Sequence, residues 1–201
     1  MSAEFPCLIE LPMPLLTPRL TIRPPQAGDG LAFNTAINAS REHLRRFLPW
    51  VDTSHHSIEE SENYARLQHS KFLSRTDIIL AIFDRQTHEL LGGSGLHRVD
   101  WSLPKFEIGY WLHKDAVGQG LMSEAVNAIT RYAFQQLQAR RVEIRCETDN
   151  VRSRAVAQRL GYDLDGCLRQ DHFKTDSQDL TDTWIFSRLD VAGLPELQVS
   201  W

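Results

Sequence analysis

The spacing of apolar residues changes several times along the chain, and each spacing predicts a type of secondary structure. Stretches that alternate at period two, or that are short and apolar throughout, predict strands. The run at 77–84 has the second pattern, which is typical of a strand covered on both faces. Strands are expected at RLTIR (19–23), DIILAIFD (77–84), LLGGSGLH (90–97), KFEIGYWL (105–112), VEIRCE (142–147), YDLDGCLRQDHF (162–173) and LTDTWIFSRL (180–189). The last two are joined by the polar turn KTDSQD and predict a hairpin.

Helices are expected between these strands, where apolar residues recur every three or four positions. Ser57 and Glu60 form the pattern of a capping box, and Gly161 suits the left-handed position at a helix end. The predicted helices begin after Asp29, with a second one through Leu44, Phe47 and Leu48; at Ser57; at Leu121; and at Asp149 or Asn150. In VEIRCE, Glu143, Arg145 and Glu147 are expected to face outward from a half-exposed strand. Together these elements predict an α+β fold, with helices flanking a mainly antiparallel sheet.

Composition narrows this picture to one domain spanning residues 1–201. The 201 residues are 42% hydrophobic, and no polar linker divides them. The formal net charge of -4 gives no reason to expect a nucleic-acid or membrane partner. Three widely spaced cysteines without a CxxC pair favour a reducing, cytoplasmic location. The start MSAEFPCLIELPMPLL lacks a basic region and contains three prolines, so we expect an arm lying on the domain rather than a signal peptide.

The stretch AVGQGLMSEA (116–125) places two glycines immediately before a predicted helix. A helix N-terminus exposes unpaired N–H groups and about half a positive charge, and glycine allows an anion to approach the backbone closely. The stretch therefore favours a pyrophosphate site, although glycine also begins many helices for steric reasons. No lysine follows Gly120, so the pattern is not that of a nucleoside triphosphatase loop.

Several motifs, in this order along the chain, resemble the GNAT superfamily of acetyl-CoA-dependent N-acetyltransferases. They are TPRLTIRPP, IGYWL, GQGLMSEA, DNVRSRAVAQRLGY and DGCLRQ. The resemblance covers about 19–189, which leaves an N-terminal arm and a short C-terminal tail. Within the superfamily the chain looks most like the bacterial ribosomal-protein N-terminal acetyltransferases that modify serine or alanine. Val117 stands where the superfamily loop usually has Gln or Arg, and Met122 replaces its last small residue.

The resemblance implies the GNAT fold, with acetyl-CoA in a cleft between two strands that splay apart. It assigns the pantetheine and thioester to the backbones of Trp111, Leu112 and His113. Asn150 would reach the pantetheine arm, whereas by itself it reads as a helix cap. The pyrophosphate would lie on the loop residues Val117, Gly118, Gln119, Gly120, Leu121, Met122 and Ser123. No metal is expected, since the adjacent His55 and His56 are poorly spaced as two ligands on one helix face.

Acetyl transfer to an amine requires a proton acceptor for the amine and a proton donor for the departing thiolate. Many GNAT enzymes take the donor from a tyrosine seven residues after the helix-start asparagine, but Ala157 occupies that position here. Ser153 matches the serine of the ribosomal subgroup, and a plain role in the first helical turn is its alternative.

Three side chains are candidates for the base, and a chain of water molecules leading to His172 or Glu107 is a further alternative. His172 lies where relatives of the ribosomal type carry a glutamate, and a histidine is suited to neutral pH. Glu107 shares a strand face with Gly109 and Trp111, where aromatic neighbours would raise the pKa of a carboxyl group. Asp171 is a third, weaker candidate, while Cys146 is expected in the core.

The acceptor is expected near the irregular stretch LRRFLPWVDTSHHS, where Trp50 and Trp111 would form the walls of a groove. The alternative places Trp50 in the core. Acidic side chains nearby would help to hold a cationic amine: Asp52, Glu59, Glu60 and Glu62. The acceptor is either a protein N-terminus or a small amine such as a polyamine or an aminoglycoside-like drug. A non-catalytic acyl-CoA-binding module, a site for another nucleotide and a homodimer all remain open.

Overall fold

One eight-stranded sheet organises residues 5–175, 177 and 179–201, which are the residues described by this computed structural model. Neighbouring strands are antiparallel except for one parallel pair, β5 and β6. The order across the sheet is β1-β2-β3-β4-β5-β6-β8-β7. The strands are β1 Leu15–Leu16, β2 Leu20–Arg23, β3 Ile78–Asp84, β4 Leu90–Asp100, β5 Lys105–Leu112, β6 Arg141–Glu147, β7 Asp163–Phe173 and β8 Leu180–Arg188. The predicted antiparallel meander and the final hairpin are therefore confirmed, although Asp176 and Gln178 of the predicted turn lie outside the described residues.

Four α-helices flank the sheet in the described part of the chain: α1 Gly30–Leu44, α2 Ile58–Ser74, α3 Leu121–Gln135 and α4 Val151–Arg159. The capping box is confirmed in one half only. The Ser57 hydroxyl accepts the Glu60 N–H at 3.1 Å, but the Glu60 carboxylate accepts the N–H of His56 rather than that of Ser57. Gly161 follows α4 at φ +64, as predicted.

The predicted second helix through Phe47 and Leu48 is wrong, because α1 ends at Leu44. Leu48 precedes Pro49 and has φ -130 and ψ 88, outside the helical region, since proline disfavours the helical conformation of the residue before it. A short 3₁₀ turn, Pro49–Asp52, follows. Asp29 precedes α1 as predicted but makes no capping bond, and its carboxylate instead accepts two hydrogen bonds from Arg23 at 2.7 and 2.8 Å.

The core has two layers, one on each face of the sheet. Successive side chains of a strand point to opposite faces, so Leu80 and Ile82 of β3 pack in the α3 layer while Ala81 and Phe83 pack with α1 and α2. The expectation that 77–84 is covered on both faces is confirmed.

The expectation of a half-exposed β6 is wrong. Glu143 and Glu147 are only 6% and 9% exposed, because β6 lies between β5 and β8. Arg141 and Arg145 contact the Glu143 carboxylate at 2.6 and 3.1 Å, so the buried charge is paired.

The chain ends also join the sheet. β1 pairs with β2, and an isolated bridge links Leu16 to Ser200. Leu11 and Leu194 are part of the core, and Asn127 on α3 donates a hydrogen bond to the Pro195 carbonyl. The arm and the tail are thus packed onto the expected core of 19–189. Among the described residues, no helix has the length and apolar character needed to cross a membrane.

Candidate active site

The parallel strands β5 and β6 separate part-way along their length. Among the described residues they pair only at Lys105–Arg141, Phe106–Val142 and Glu107–Glu143, and no other described strand pairs with the facing edge of β5 beyond these positions. A cavity of about 940 Å³ opens at this point. It is lined by the end of α1 and the following residues (43, 44 and 46–48), by β5 (110–112), by the loop before α3 and its first turn (117, 118 and 120–123), and by 149–153, 155, 156 and 159 around α4. We call this cavity the cleft.

The N-terminus of α3 forms one end of the cleft. Gly118 and Gly120 have φ values of +83 and +76, a region that favours glycine. Gly120 is the N-cap residue and offers no side-chain bond to the first turn. Arg19 holds the loop from outside through the Gln119 carbonyl at 2.9 Å and the Glu124 carboxylate at 2.6 Å. The first-turn N–H groups of α3 therefore lie at the cleft without a capping side chain, which is the geometry of an anion site.

The start of α4 brings Ser153 into the cleft. The Asn150 side chain accepts the Ser153 N–H at 3.1 Å, which confirms Asn150 as the helix cap. The Ser153 hydroxyl lies 2.8 Å from the Tyr110 hydroxyl, which is also 3.1 Å from the Ser153 carbonyl. Cys146 contacts the same serine, and burial raises the pKa of its thiol. Ser153 thus forms part of a hydroxyl cluster, and a different side chain caps the helix.

The cleft is lined by several basic side chains and one carboxylate. His43, Arg46, Arg152 and Arg159 all contribute to its walls, and Arg46 lies 3.3 Å from Asp149. Burial, and then Arg152 and His113, lower the pKa of His43. Arg159 donates a hydrogen bond to Ser123 in the first turn of α3 at 3.1 Å. The guanidinium groups of Arg46, Arg152 and Arg159 favour a ligand that carries phosphate groups.

A second cavity of about 410 Å³ lies on the α1 and α2 side of the sheet and shares Leu48, Tyr110 and Trp111 with the cleft. Half of its described lining residues carry aromatic rings, and Trp50 meets Trp111 edge to face at 6.4 Å between ring centroids. Gly93 and Gly109 line it without side chains, and no Lys, Arg, Asp or Glu is among its described lining residues. We call this second cavity the aromatic pocket.

The family model described as an acetyltransferase (GNAT) domain matches residues 19–163. This chain belongs to the GNAT acetyltransferase family. The predicted family resemblance and the GNAT fold are thereby confirmed.

Individual GNAT proteins extend the comparison. The chain is 38% identical to the ribosomal-protein-serine acetyltransferase of Escherichia coli (strain K12) over 101 residues, which are 50% of this chain and 55% of that protein. The match thus spans about half the length of that relative. It is 32% identical to the probable N-acetyltransferase YjcK of Bacillus subtilis (strain 168) over 151 residues, 75% of this chain and 83% of the relative.

Solved GNAT structures share the fold at low sequence identity. The ribosomal L7/L12 alpha-N-protein acetyltransferase RimL, in complex with coenzyme A, aligns with a TM-score of 0.80 at 24% identity, covering 88% of this chain and 97% of that one. The ribosomal-protein-S5-alanine acetyltransferase from Vibrio fischeri aligns with a TM-score of 0.80 at 17% identity, covering 92% and 100%.

The structure brings most of the predicted cofactor residues to the cleft of this GNAT fold. All of the residues predicted for acetyl-CoA line it except His113 and Gln119. The N–H of His113 donates to the Leu91 carbonyl at 2.7 Å, and the Gln119 side chain donates to the Asp115 carbonyl at 2.9 Å. Trp50 lines the aromatic pocket and is half-buried there.

The two leading candidates for the base lie outside both cavities. His172 is 45% exposed on β7, with Glu147 at 3.4 Å and Asp171 at 3.6 Å. Glu107 faces the guanidinium groups of Arg98 and Arg145 at 3.1 and 3.3 Å, so its carboxylate is paired with two cations. The catalytic roles of His172, Glu107 and Asp171 stay predictions.

The acidic side chains expected near the acceptor do not line either cavity. Asp52 pairs with Arg45 at 3.3 Å, and Glu62 accepts the N–H groups of Gly28 and Gly30. The carboxylates of Asp52 and Glu62 therefore stabilise neighbouring segments of the fold. Among the described residues, no group of three or more His, Cys, Asp or Glu is placed to hold a metal ion.

His55 lies in the aromatic pocket as a neutral ring. Burial is the main cause that lowers the pKa of His55 to about 4. Its Nδ1 lies 2.9 Å from the Ser61 hydroxyl, which itself donates to the Ser57 carbonyl at 3.0 Å. Because that hydroxyl proton is already used, Nδ1 carries the imidazole proton and Nε2 has the free lone pair.

Sequence reasoning missed Tyr110 and Arg159 as residues of the site. Arg152, Val156 and Arg159 recur at a spacing of four and then three, so the helical period would have placed them on one face of α4. Tyr110 belongs to the quoted IGYWL motif, but its contact with Ser153 spans 43 positions of the chain. No local pattern indicates that contact.

Proposed function

We propose that this protein transfers the acetyl group of acetyl-CoA to the α-amine of a protein N-terminus, as an acetyltransferase of the ribosomal-protein type. The observation that carries the proposal is the cleft between β5 and β6, which runs from the uncapped N-terminus of α3 to a wall shared with the aromatic pocket. One ligand can enter from each side, and the two meet at Tyr110 and Trp111.

Acetyl-CoA fits the cleft by charge and by shape. We assign its pyrophosphate to the N–H groups between Gly118 and Ser123, with Arg152 and Arg159 close enough to add positive charge. The pantetheine arm would lie along the unpaired edge of β5, beside Asn150. Solved structures with the same fold include one in complex with coenzyme A and one in complex with acetyl-CoA. No metal has a part in this assignment.

The reaction is a direct transfer. The amine nitrogen bonds to the thioester carbon, the carbon–sulfur bond breaks, the amine loses a proton and the thiolate gains one. Ser153 is the hydroxyl at the cleft that we assign to the thiolate. The Tyr110 hydroxyl, 2.8 Å away, passes a proton to Ser153 in turn and takes one back from solvent in the cleft, so both hydroxyls are restored. His172 and Glu107 remain candidates for the base in this scheme.

The aromatic pocket is the proposed acceptor site, and its lining favours a peptide end over a polycation. A polyamine or an aminoglycoside carries several charges that need carboxylate partners, and the described lining residues include none. A single α-amine can enter as the neutral base.

The free thiols of Cys7, Cys146 and Cys167 support a cytoplasmic location for the protein.

Peptides that begin with serine or alanine are expected to be acetylated in preference to peptides that begin with leucine or lysine. The two tryptophans leave room for a small first side chain, and a few misplaced methylenes cost roughly tenfold or more in kcat/KM. Release of free thiol from acetyl-CoA measures this across peptides, spermidine and an aminoglycoside. Faster release with spermidine or the aminoglycoside than with every peptide would overturn the acceptor assignment. Binding of acetyl-CoA without turnover would favour a binding module, and equal thermal shifts with ATP, NAD and acetyl-CoA would favour a general nucleotide site.

Trp50→Ala is expected to raise the peptide KM by roughly tenfold or more, because large buried aromatic anchors carry much of an interface's binding energy. The acetyl-CoA dissociation constant, measured by calorimetry, should stay unchanged, since Trp50 lines the aromatic pocket and not the cleft. Trp201→Ala is the matched control, because Trp201 packs on Tyr132 away from both cavities. An unchanged peptide KM for Trp50→Ala would remove Trp50 from the acceptor site.

A further inference from the structure

His97 on β4 forms a dyad with Asp77 that neither the sequence motifs nor the family comparison indicates. Its Nδ1 lies 2.8 Å from the Asp77 carboxylate. Because a carboxylate only accepts, this contact places the neutral ring's proton on Nδ1 and leaves the lone pair on Nε2. His97 lines the aromatic pocket.

The free Nε2 lies against two glycines, Gly95 and Gly109, of which Gly109 lines that pocket. A Cβ added to Gly95 would come within 2.9 Å of Nε2, and one added to Gly109 would come within 3.3 Å. Gly109 directly precedes Tyr110 and Trp111, which both cavities share. Glycine at these positions thus leaves the ring nitrogen uncovered beside the wall where acceptor and thioester would meet.

The backbone directly after His97 is irregular. The β4–β5 register shifts between His97 and Asp100, and Arg98 has φ +48. Bulges of this kind redirect side chains and are frequent beside active sites. The His97 side chain is 31% exposed and that of Asp77 is 24% exposed, so solvent can take a proton from the ring.

We propose that His97, oriented by Asp77, is the general base that removes the proton from the acceptor amine; this rests on the proposed function. The proton moves from the amine to Nε2, directly or through one water, as the carbon–nitrogen bond forms and the carbon–sulfur bond breaks. The thiolate takes its proton from the Ser153 hydroxyl, and the imidazolium passes its own to solvent. Asp77 acts through His97 and is a positioning residue.

The other ionisable groups around His97 do not provide an equivalent base. Glu107 lies opposite on β5 and is tied to two arginines. Across the pocket, His55 has a pKa of about 4, mainly through burial, and burial raises the pKa of Tyr64. His55 is thus a weak base at neutral pH, and Tyr64 keeps its proton.

His97→Gln is expected to lower kcat about a hundredfold near neutral pH, as for other positioned acid–base groups. We would measure thiol release with a serine-initiated peptide from about pH 6.5 to 9.5, together with acetyl-CoA binding by calorimetry. The deficit should narrow as pH rises, because hydroxide then increasingly takes the proton from the attacking amine nitrogen in place of His97. Acetyl-CoA affinity should not change. Asp77→Asn should show a smaller loss with the same pH trend.

His88→Gln is the matched control, since His88 is exposed in the turn between β3 and β4, and it should leave kcat unchanged. His172→Gln tests the rival base. The inference fails if His97→Gln keeps wild-type kcat at every pH, if its deficit is the same at every pH, or if His172→Gln alone shows the pH-dependent loss. If His97→Gln does not fold, Asp77→Asn decides by the same profile, since it keeps the ring. A wild-type protein that releases no thiol with any acceptor would instead refute the proposed function.

Discussion

Replacing Gly120 by valine is expected to abolish measurable acetyl-CoA binding. Gly120 has φ +76, a conformation that L residues reach at a cost of about 1–2 kcal/mol and β-branched residues reach least readily. The loop must therefore rearrange, and the N–H groups at the start of α3 move away from the pyrophosphate. Each charge-assisted hydrogen bond contributes about 1.5–3 kcal/mol, so losing two of them weakens binding by roughly a hundredfold or more. Isothermal calorimetry with acetyl-CoA measures the effect.

Two control variants separate this effect from general destabilisation. Gly193→Val places the same residue at φ +72, away from the cleft, and an added Cβ meets nothing within 4 Å at that position. It should lose similar stability and keep its acetyl-CoA affinity. Gln119→Ala should be mild, because the Gln119 side chain bonds within the loop and does not line the cleft. Tight acetyl-CoA binding by the Gly120 variant would contradict the loop assignment.

Ser153→Ala is expected to lower kcat about a hundredfold while the KM for acetyl-CoA changes little. A proton donor to the leaving thiolate acts in the transition state, so its loss appears in turnover more than in ground-state binding. The helix should survive the change, because the Asn150 side chain caps α4 through the Ser153 backbone N–H. Steady-state thiol release at saturating peptide gives both constants.

The contrast variants for Ser153 are Ser70→Ala and Tyr110→Phe. Ser70 is exposed on α2, and its hydroxyl donates to the Leu67 carbonyl at 2.8 Å, so removal of this hydroxyl should leave kcat at the wild-type value. Tyr110→Phe removes the hydroxyl 2.8 Å from Ser153 and should lower kcat by less than Ser153→Ala does. If Ser153→Ala turns over at the wild-type rate, the serine is only a residue of the helix start.

The sheet was predictable because its signals are local. Alternation within 19–23 and continuous apolar runs such as 77–84 depend only on neighbouring residues, and seven of the eight described strands lie where such patterns predicted them. The two-residue strand β1 was not predicted, because it lies in the stretch expected as an arm. The prediction of a second helix failed at Leu48, because the proline at the next position prevents the helix that the spacing of apolar residues predicts. The prediction that β6 is half-exposed failed for another reason. The burial of Glu143 depends on which strands lie beside β6, and the spacing of residues in the sequence does not contain that information.

In the candidate site, too, features with a local sequence signal were predictable and contacts between distant segments were not. The loop before α3 was found because a glycine pair at a helix start has a local physical reason, and the structure places Gly118 and Gly120 at positive φ beside the cleft. The hydroxyl cluster and the dyad join distant segments: Tyr110 meets Ser153 across 43 positions, and His97 meets Asp77 across 20. Such contacts form only when strands are paired, so they require the structure.

The position of the transferred acetyl group tests the central claim most directly. Acetyl-CoA labelled in its acetyl group would be incubated with the protein and a serine-initiated peptide that contains one internal lysine, and tandem mass spectrometry would locate the label. The same peptide with a blocked α-amine is the control. We predict label on the α-amine of the open peptide and none on the blocked one. Label on the lysine, or equal labelling of both peptides, would contradict the account.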